Sequence, residues 1–578
     1  MSRIIQFFRE ALRILTGIYG AVAAVLICLN VMDRYYVPVK FNPPVYLTAA
    51  ALTLGLMNWL LQKRHRRFQS SFTGHQKWIT IFLVMAVVYV LQMILVSYTW
   101  QSHGWDVRVV MAKTTGEIAE NAVDWYMRVH QNNVLICGFL TDAVPWLASL
   151  LKINPWHAAS ILSMTAVDVS ILLHTAALSR FVKDRAVFTV FFFLVVFIAF
   201  QPQNLIPYTD TFGMLFVSVL IFCISIFLSL RSLPVWLAVS AVFGYFLVLG
   251  YHLKPTIIIL GIAFLLALLI SGRKIRMKTI LTVLLCLSAG LLGTIGARAT
   301  YDQAELTVLG YHPSAKERDR DEYVLQHYLA MGLFEDEETG CYGGFNPEDD
   351  QRISSTQWKS EKIKVSNQLI RERLSKMGFS GFLRHIWHKM AWVSTDGNFF
   401  YRAYGRNLDD QEDPSAIERF LSGWNNIKSP LYLLVTANWF EGLWLVVMLG
   451  IALSIRKKGW TQLLKRKHRP SDQKELLNDS SIQTGKRDQA GSDREKETLN
   501  SSGLSIFLNT ERLAMAGIIL FLILFEARAR YIYLYAPCFT TLGVFGLYIS
   551  FLKASCILSL KRKHMRNRKL KEGRNQMN

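Results

Sequence analysis

Residues 78–98 read WITIFLVMAVVYVLQMILVSY, an apolar run without a single acidic or basic side chain. A helix of about 20 such residues spans the hydrocarbon core of a bilayer. Similar runs recur along the chain, and they lack the alternation of apolar and polar residues that is typical of membrane barrels. The sequence therefore predicts an all-α polytopic membrane protein.

The composition agrees with this fold class. Of the 578 residues, 52% are hydrophobic and 18% are charged, whereas a soluble domain carries roughly 25% charged residues. This excludes a soluble globular enzyme, a fibrous protein and a disordered protein. The net charge of +22 does not indicate nucleic acid as a partner, because Lys and Arg concentrate in short loops and in the tail, as the positive-inside rule requires. The seven Cys show neither metal-ligand spacing nor a pairing pattern.

The hydropathy pattern predicts twelve spans with the N-terminus inside. The first is a retained span rather than a cleaved signal, because its apolar run is long and no small-residue cleavage site closes it. The predicted spans are 12–32, 43–62, 78–98, 156–180, 186–204, 211–230, 234–252, 256–271, 278–297, 430–455, 512–528 and 533–552.

Five segments follow from these spans: 1–98, 99–155, 156–298, 299–429 and 430–578. In the second segment, the apolar stretch 134–151 contains Asp142 and Pro145, so we expect it to form an interfacial or re-entrant helix. If this helix crossed the membrane instead, it would be a thirteenth span. The fourth is predicted to be an extracytoplasmic polar domain with a helix near 359–377. In the last, the stretch 465–503 is too polar to fold and predicts a disordered cytoplasmic loop ahead of a basic tail.

Two acidic residues stand out at the predicted outer ends of spans. Asp106 follows the third span, and partial desolvation there is expected to raise its pKa toward that of a general base. An ordinary solvated loop carboxylate is the alternative. Asp210 follows the fifth span and is predicted either to be a second carboxylate of the same site or to cap the next helix.

Cations on the outer side break the positive-inside rule and therefore need a reason. Lys254 is predicted either to bind a lipid phosphate or to snorkel to water. Arg528 and Arg530 are predicted to bind phosphate or to form structural ion pairs, with Glu526 orienting Arg530, its i+4 neighbour, and with Tyr531 in support. Asn132 and Asn133 follow His130-Gln131 and could bind a sugar or cap a helix.

These short motifs together resemble the GT-C class of membrane glycosyltransferases, which includes the protein O-mannosyltransferases and the bacterial aminoarabinose transferase. The resemblance is greatest to the Gram-positive lipoteichoic acid ligase-like group. It rests on Asp106, His130 to Asn133, Tyr208-Thr209-Asp210, Lys254-Pro255-Thr256 and Glu526 to Tyr531, with His327 to Leu333, Lys389 to Trp392 and Asp396-Gly397 in the polar domain. His130-Gln131 stands where that group has Tyr-Pro, and Ser394-Thr395 before Asp396 is a looser match.

The resemblance implies a GT-C helical bundle and a glycosyltransferase at the extracytoplasmic face of the plasma membrane. The donor would be a polyprenyl phosphate- or diphosphate-linked sugar or glycopolymer, and the acceptor a teichoic acid, glycan or glycolipid of the cell envelope. Asp106 would be the base and Asp210 would assist. No cofactor is required by the motifs, and a divalent metal is left open. The alternatives are a lipid-linked glycan flippase or transporter, which would place ionisable groups such as Asp168 and His174 in mid-membrane, and an accessory envelope-assembly subunit.

Overall fold

The computed structural model describes residues 2–29, 42–62, 74–117, 120–271, 277–336, 341–403, 415–455 and 483–551. These residues are almost entirely helical. The basic loop at 272–276, most of the predicted disordered loop and the basic tail lie outside the described residues. The last part of the predicted disordered stretch differs from expectation, because a helix begins at Gln483.

The helices follow one another in a bundle with one polar domain between its later members. In chain order they are α1 (Ser2–Cys28), α2 (Pro43–Gln62), α3 (Gly74–Thr99), α4 (Trp105–Thr115), α5 (Glu120–Val129), α6 (Val134–Leu151), α7 (Pro155–Ser179), α8 (Asp184–Leu194), α9 (Thr209–Ser229), α10 (Leu233–Leu253), α11 (Ile258–Leu269), α12 (Met277–Leu309), α13 (Ala315–Asp321), α14 (Leu325–Gly332), α15 (Pro347–Ser354), α16 (Lys359–Thr395), α17 (Ala416–Ser422), α18 (Ala437–Leu453), α19 (Gln483–Leu524), α20 (Arg530–Tyr533) and α21 (Ala536–Phe551).

Nine of the described helical stretches are long and apolar enough to cross a membrane, judged by length and composition. They are Arg3–Cys28, His75–Thr99, Gln131–Leu151, Pro155–Ser179, Thr209–Ser229, Leu233–Leu253, Leu284–Leu309, Tyr432–Leu453 and Ser502–Leu524. Three shorter apolar helices are Pro43–Met57, Pro255–Leu269 and Ala536–Phe551. The all-α polytopic class is thereby confirmed, while the number of crossings stays a prediction.

Of the twelve predicted spans, all except 186–204 overlap one of these helices. In that stretch α8 ends at Leu194, and a π-helical turn, Val195–Ala199, follows it. The side-chain amide of Asn204 donates to the carbonyls of Ile198 (2.8 Å) and Ala199 (2.9 Å). The polar turn thus satisfies the last carbonyls itself, and the helix stops short of the predicted length.

The stretch 134–151 forms one helix, α6, despite Pro145 in its interior. By length and composition it could cross the membrane. Asp142 lies on its exposed face, and a charge facing lipid is costly. That position favours the predicted placement at the interface.

Small residues let the bundle helices approach closely. A Cβ on Gly546 of α21 would lie 1.8 Å from the carbonyl oxygen of Gly450 on α18, and a Cβ on Gly450 would lie 2.0 Å from that of Gly543. Backbone contact through glycine is how membrane helices gain packing energy without a hydrophobic driving force. This contact sets the position of the last helix relative to α18.

In the predicted polar domain, 299–429, the described residues form the end of α12, several short helices, the long helix α16 and a minimal hairpin. Its strands are β1 (Glu335–Asp336) and β2 (Cys341–Tyr342), which pair antiparallel. Helix α16 covers the predicted helical stretch 359–377 and continues past Gly378, whose φ of +60° interrupts the helix. The domain therefore has a long helical backbone with a bend at a residue that tolerates left-handed geometry.

Candidate functional site

Asp106 lies in the first turn of α4. The Tyr126 hydroxyl donates to its Oδ1 (2.8 Å), and the Tyr208 hydroxyl donates to its Oδ2 (3.1 Å). The Asp106 side chain is 35% exposed, so a bound molecule can reach it. Trp105 before it has a φ of +56°, a conformation that costs energy outside glycine and that concentrates at functional sites. Asp106 is therefore an accessible carboxylate held in place by two tyrosines.

Asp210 and Lys254 form a buried ion pair near Asp106. Lys254 Nζ donates to Asp210 Oδ1, and the two side chains are 9% and 1% exposed. The snorkelling alternative for Lys254 is wrong, because its ammonium points to this buried carboxylate rather than to water. The capping alternative for Asp210 is wrong too, because α9 begins at Thr209, after an N-cap at Tyr208 that makes no side-chain cap.

Arg530 bridges the two carboxylates. Its Nη2 lies 3.9 Å from Asp106 Oδ2, and its Nε lies 3.6 Å from Asp210 Oδ2. The Arg530 side chain is only 9% exposed. Four predicted residues from four separate parts of the chain thus meet in one place: Asp106, Asp210, Lys254 and Arg530. We call this set the charged site.

Aromatic rings line the charged site on its cationic side. Lys254 Nζ lies 4.0 Å from the ring centre of Tyr531. The Arg530 guanidinium lies 5.4 Å from the ring centre of Tyr208 and 5.5 Å from that of Tyr531. Cations over aromatic faces are stabilised by electrostatic attraction to the ring.

The segment with Glu526 differs from the predicted helix. Helix α19 ends at Leu524, so residues 526 and 530 are not helical neighbours and the expected i+4 pair is wrong. Glu526 instead accepts from Arg528 Nε (3.1 Å) and from the Tyr531 hydroxyl. Glu526 and Arg528 therefore support Tyr531, while Arg530 faces the charged site.

Asn133 supports the charged site from behind. Its side-chain amide donates to the Tyr126 hydroxyl (2.8 Å), and Asn132 donates to Asn133 Oδ1 (3.2 Å). The His130 ring packs 4.4 Å from the Tyr126 ring. The two predicted amide side chains therefore do not contact Asp106 directly but support Tyr126, which holds it. Sequence reasoning missed Tyr126, since a single Tyr in a polar helix carries no local signal.

The expected rise of the Asp106 pKa is wrong. Burial pushes this pKa up, but the charges of Arg530 and His130 and the hydrogen bonds from Tyr126 and Tyr208 outweigh burial and hold it below its ordinary value. Asp106 is therefore ionised at any pH near neutrality. It can accept a proton only as that proton is being released by a reacting group.

Burial acts on Lys254 in the opposite way. Desolvation lowers the pKa of its ammonium from 10.5 to about 8, although the carboxylate of Asp210 counteracts part of this shift. Lys254 is thus charged at neutral pH but loses its charge in mildly alkaline solution, whereas Arg530 keeps its charge throughout.

A cavity of about 250 Å³ lies beside this region, between α5 and the polar domain. Its lining includes Trp125, Tyr323 and Lys362 together with hydroxyl groups of residues 354–356. The Tyr323 ring lies 5.6 Å from the His130 ring, which packs on Tyr126. A short aromatic path therefore connects the cavity with the residues around Asp106.

Lys389 fastens the polar domain to the end of α19. It is fully buried, and its Nζ donates to the carbonyls of Gly332 (2.7 Å), Ile523 (3.1 Å) and Phe525 (2.5 Å). Gly332 is tightly placed, since a Cβ there would lie 2.3 Å from the carbonyl oxygen of Leu524. One ammonium thus satisfies carbonyls from both partners of the contact.

The contact between the polar domain and the end of α19 extends toward the charged site. The Ala527 amide donates to the Gly343 carbonyl (2.8 Å) of the polar domain. The Arg528 guanidinium lies 4.8 Å from the ring centre of Phe400 and 5.7 Å from that of Trp392. The polar domain therefore shapes the 525–529 turn that positions Arg530.

Lys389→Met is expected to lower thermal stability, because it removes the donor to the carbonyls of Ile523 and Phe525 at a cost of about 1–3 kcal/mol each. Thermal unfolding of the detergent-purified protein measures this. Lys364→Met on the same helix is the control, because Lys364 is exposed. Equal melting temperatures for the two variants would contradict the fastening role of Lys389.

The charged site does not have the ligand set of a divalent cation. Its two carboxylates are bridged by Arg530, and one of them is also paired with Lys254. Within the described parts of the chain, three His, Cys, Asp or Glu side chains converge closely enough for an ion only at His174, Glu511 and Cys538, which belong to the bundle. We therefore assign no step at the charged site to a metal.

A family described as "Conserved hypothetical integral membrane protein" matches residues 15–465. The chain belongs to this family. No curated protein and no solved structure matches it. Family membership agrees with the apolar helices, and the protein is a multi-pass integral membrane protein. The matched range includes Asp106, Asp210 and Lys254 but ends before Arg530.

Proposed function

We propose that this protein is a GT-C type glycosyltransferase. It takes a sugar or glycopolymer from a polyprenyl phosphate- or diphosphate-linked donor and transfers it to a cell-envelope acceptor, a teichoic acid, glycan or glycolipid. The observation that carries the proposal is the charged site, where an accessible carboxylate lies 3.9 Å from a buried guanidinium. A base and a phosphate-binding cation side by side are what transfer from a lipid phosphate requires.

In the proposed reaction the acceptor hydroxyl oxygen attacks the anomeric carbon of the donor sugar. The bond between that carbon and the phosphate oxygen breaks, and the lipid phosphate leaves with the electron pair. The acceptor proton passes to Asp106 as the new bond forms. Arg530 and Lys254 stabilise the negative charge that develops on the leaving oxygen, because both are fixed in place before the reaction.

The low pKa of Asp106 fits this role. A weak base does not deprotonate a free hydroxyl, but it accepts the proton once attack on the sugar has made that hydroxyl acidic. Tyr126 and Tyr208 hold the carboxylate, and Asp210 keeps Lys254 in position. We propose that the acceptor binds in the cavity near Trp125 and Tyr323, since the exposed Trp125 ring is suited to packing on a sugar ring.

The pH dependence of donor use should report Lys254. Because its pKa is lowered to about 8, the ammonium is present below that pH and is lost as the pH rises through it. We expect kcat/KM for the donor to be flat from about pH 5.5 to 7 and to fall about tenfold per pH unit well above 8. Steady-state transfer assays across this range measure it. Lys254→Arg should move the alkaline limb upward, and an unmoved limb would assign it to another group.

Transfer in vitro tests the proposal as a whole. Purified protein is incubated with envelope lipid extract from its host, and polyprenyl-linked glycans are followed by mass spectrometry. Loss of one donor together with a new glycosylated product is the expected result, and it identifies both substrates. Lipid binding without turnover under all conditions would contradict the transferase.

A second candidate function, a transporter of lipid-linked glycans, is favoured by polar groups inside the bundle. Asp168 of α7 accepts from Gln92 of α3 (3.1 Å), and His174 contacts Glu511 (3.0 Å). Ionisable groups within spans mark transport pathways in many membrane proteins. Movement of a labelled lipid-linked glycan across proteoliposomes without any new glycosidic product would favour this function.

A further inference from the structure

Three reactive side chains from three different helices meet in the interior of the bundle. They are His174 of α7, Glu511 of α19 and Cys538 of α21, and each is fully buried. His174 Nε2 lies 3.0 Å from Glu511 Oε1, and one ligand atom from each of the three residues lies within 4.8 Å of the others. The charged site does not use any of them.

The cluster is incompletely satisfied. Among the described residues, no group forms a hydrogen bond with Glu511 Oε2 or with His174 Nδ1. Arg512 follows Glu511 on α19, and its guanidinium donates to Asn509 Oδ1 (3.0 Å). Its charge offsets part of the Glu511 charge but leaves Oε2 without a hydrogen bond. A carboxylate oxygen buried in this way is costly unless something positive contacts it.

We propose that His174, Glu511 and Cys538 bind a divalent first-row transition metal, for which Zn²⁺ is the best fit. One nitrogen, one oxygen and one sulfur ligand are a donor set that zinc accepts. A carboxylate and a thiolate carry two negative charges, which neutralise the ion in a low-dielectric interior. Metal binding also gives Glu511 Oε2 the direct contact that it lacks.

The spacing is close to that of a bound ion. Ligand distances of about 2.0–2.3 Å in tetrahedral geometry separate the ligand atoms by about 3.3–3.6 Å. The observed separations, from 3.0 Å to at most 4.8 Å, bracket these values. Closing the site therefore requires ligand atoms to move by about 1 Å, and the three residues leave a fourth tetrahedral position without a protein ligand.

The metal would have no role in sugar transfer, because it would lie far from the charged site along α19. Glu511 and the end of α19 at Leu524 are thirteen residues apart, a rise of about 20 Å along the helix. The ion would join α7, α19 and α21 at that depth. This inference is independent of the proposed glycosyltransferase, because the charged site contains none of the three residues.

Metal content tests the proposal directly. The protein is purified in detergent with a histidine-free tag, loaded with Zn²⁺, desalted and analysed by elemental mass spectrometry. We expect about one zinc per chain in the wild type and at least a fivefold loss in Cys538→Ser and in His174→Gln, because each removes one of only three protein ligands. Cys223→Ser is the matched control, a buried Cys of α9 outside the cluster, and it should retain the metal.

The absorption spectrum of the Co²⁺-loaded protein provides a second test of the metal site. Co²⁺ bound at the site should give a thiolate-to-metal absorption band in wild type and in Cys223→Ser, and no such band in Cys538→Ser. Removal of zinc by a chelator should lower the wild-type melting temperature, and added Zn²⁺ should restore it, so the test does not depend on a variant that folds. Zinc-free protein after saturation, or equal zinc in Cys538→Ser and Cys223→Ser, overturns the proposal.

Discussion

Replacing Asp106 with Asn is expected to reduce sugar transfer by about 100-fold or more, the range typical of a lost general base. The amide keeps the size of the side chain and can still accept a hydrogen bond from Tyr126 or Tyr208. It cannot take up the acceptor proton, and it weakens the charge balance with Arg530. The effect should therefore appear in kcat, while the KM for the lipid donor changes little. Transfer followed by mass spectrometry under single-donor conditions measures both constants.

Asp124→Asn is the matched control for this variant. Asp124 lies on α5 in the same segment, and its carboxylate pairs with Lys113 (3.1 Å) rather than with the charged site. Tyr126→Phe and Tyr208→Phe should give intermediate losses of about fivefold, since each removes one hydrogen bond worth about 1 kcal/mol. A folded Asp106→Asn variant with near wild-type transfer would remove Asp106 from the mechanism.

Arg530→Lys should have the second large effect, a loss of about 100-fold in kcat/KM for the donor. Lysine keeps the positive charge, but its single ammonium lacks the several coplanar N–H donors of the arginine guanidinium. It cannot hold Asp106, Asp210 and a phosphate oxygen in the geometry that the guanidinium allows. Because the interaction with phosphate grows as the sugar–phosphate bond breaks, kcat should fall more than donor affinity.

Arg298→Lys is the control. The Arg298 side chain is 53% exposed, and it forms an ion pair with Asp302, one turn further along α12. A melting temperature close to wild type is needed for the Arg530→Lys measurement, since the residue is buried. If the Arg530 variant were folded and lost no more activity than the control, phosphate binding would have to involve other groups.

The sequence predicted features that depend on local composition. Apolar runs were enough to locate eleven of the twelve predicted segments as apolar helices, because each run forms its helix locally. Asp106, Asp210, Lys254 and Arg530 were predicted as candidates from their unusual place at span ends. That they meet in the structure follows from topology, since residues at the same end of a bundle can be neighbours however far apart in sequence.

Properties that depend on contacts through space were not predictable. The Asp106 pKa moves down because Arg530, His130 and two tyrosines surround the carboxylate, and the sequence gives no sign of that arrangement. The Glu526 pairing failed because α19 ends at Leu524, a boundary that the apolar pattern does not fix. The contact of His174 with Glu511 joins residues 337 positions apart.

Helix α12 is longer than a bilayer's hydrocarbon core is thick. It has 33 residues, about 50 Å of continuous helix, against a hydrocarbon core of about 30 Å. In the C-terminal half of α12, Ala304 packs against Gly138 of α6. Helix α6 begins directly after Asn133. Helices of this length tilt when bilayer thickness changes, and a tilt of about 5° moves one end by about 4 Å. A change in tilt would therefore move α6 and, with it, Asn133, whose amide donates to the Tyr126 hydroxyl that holds Asp106.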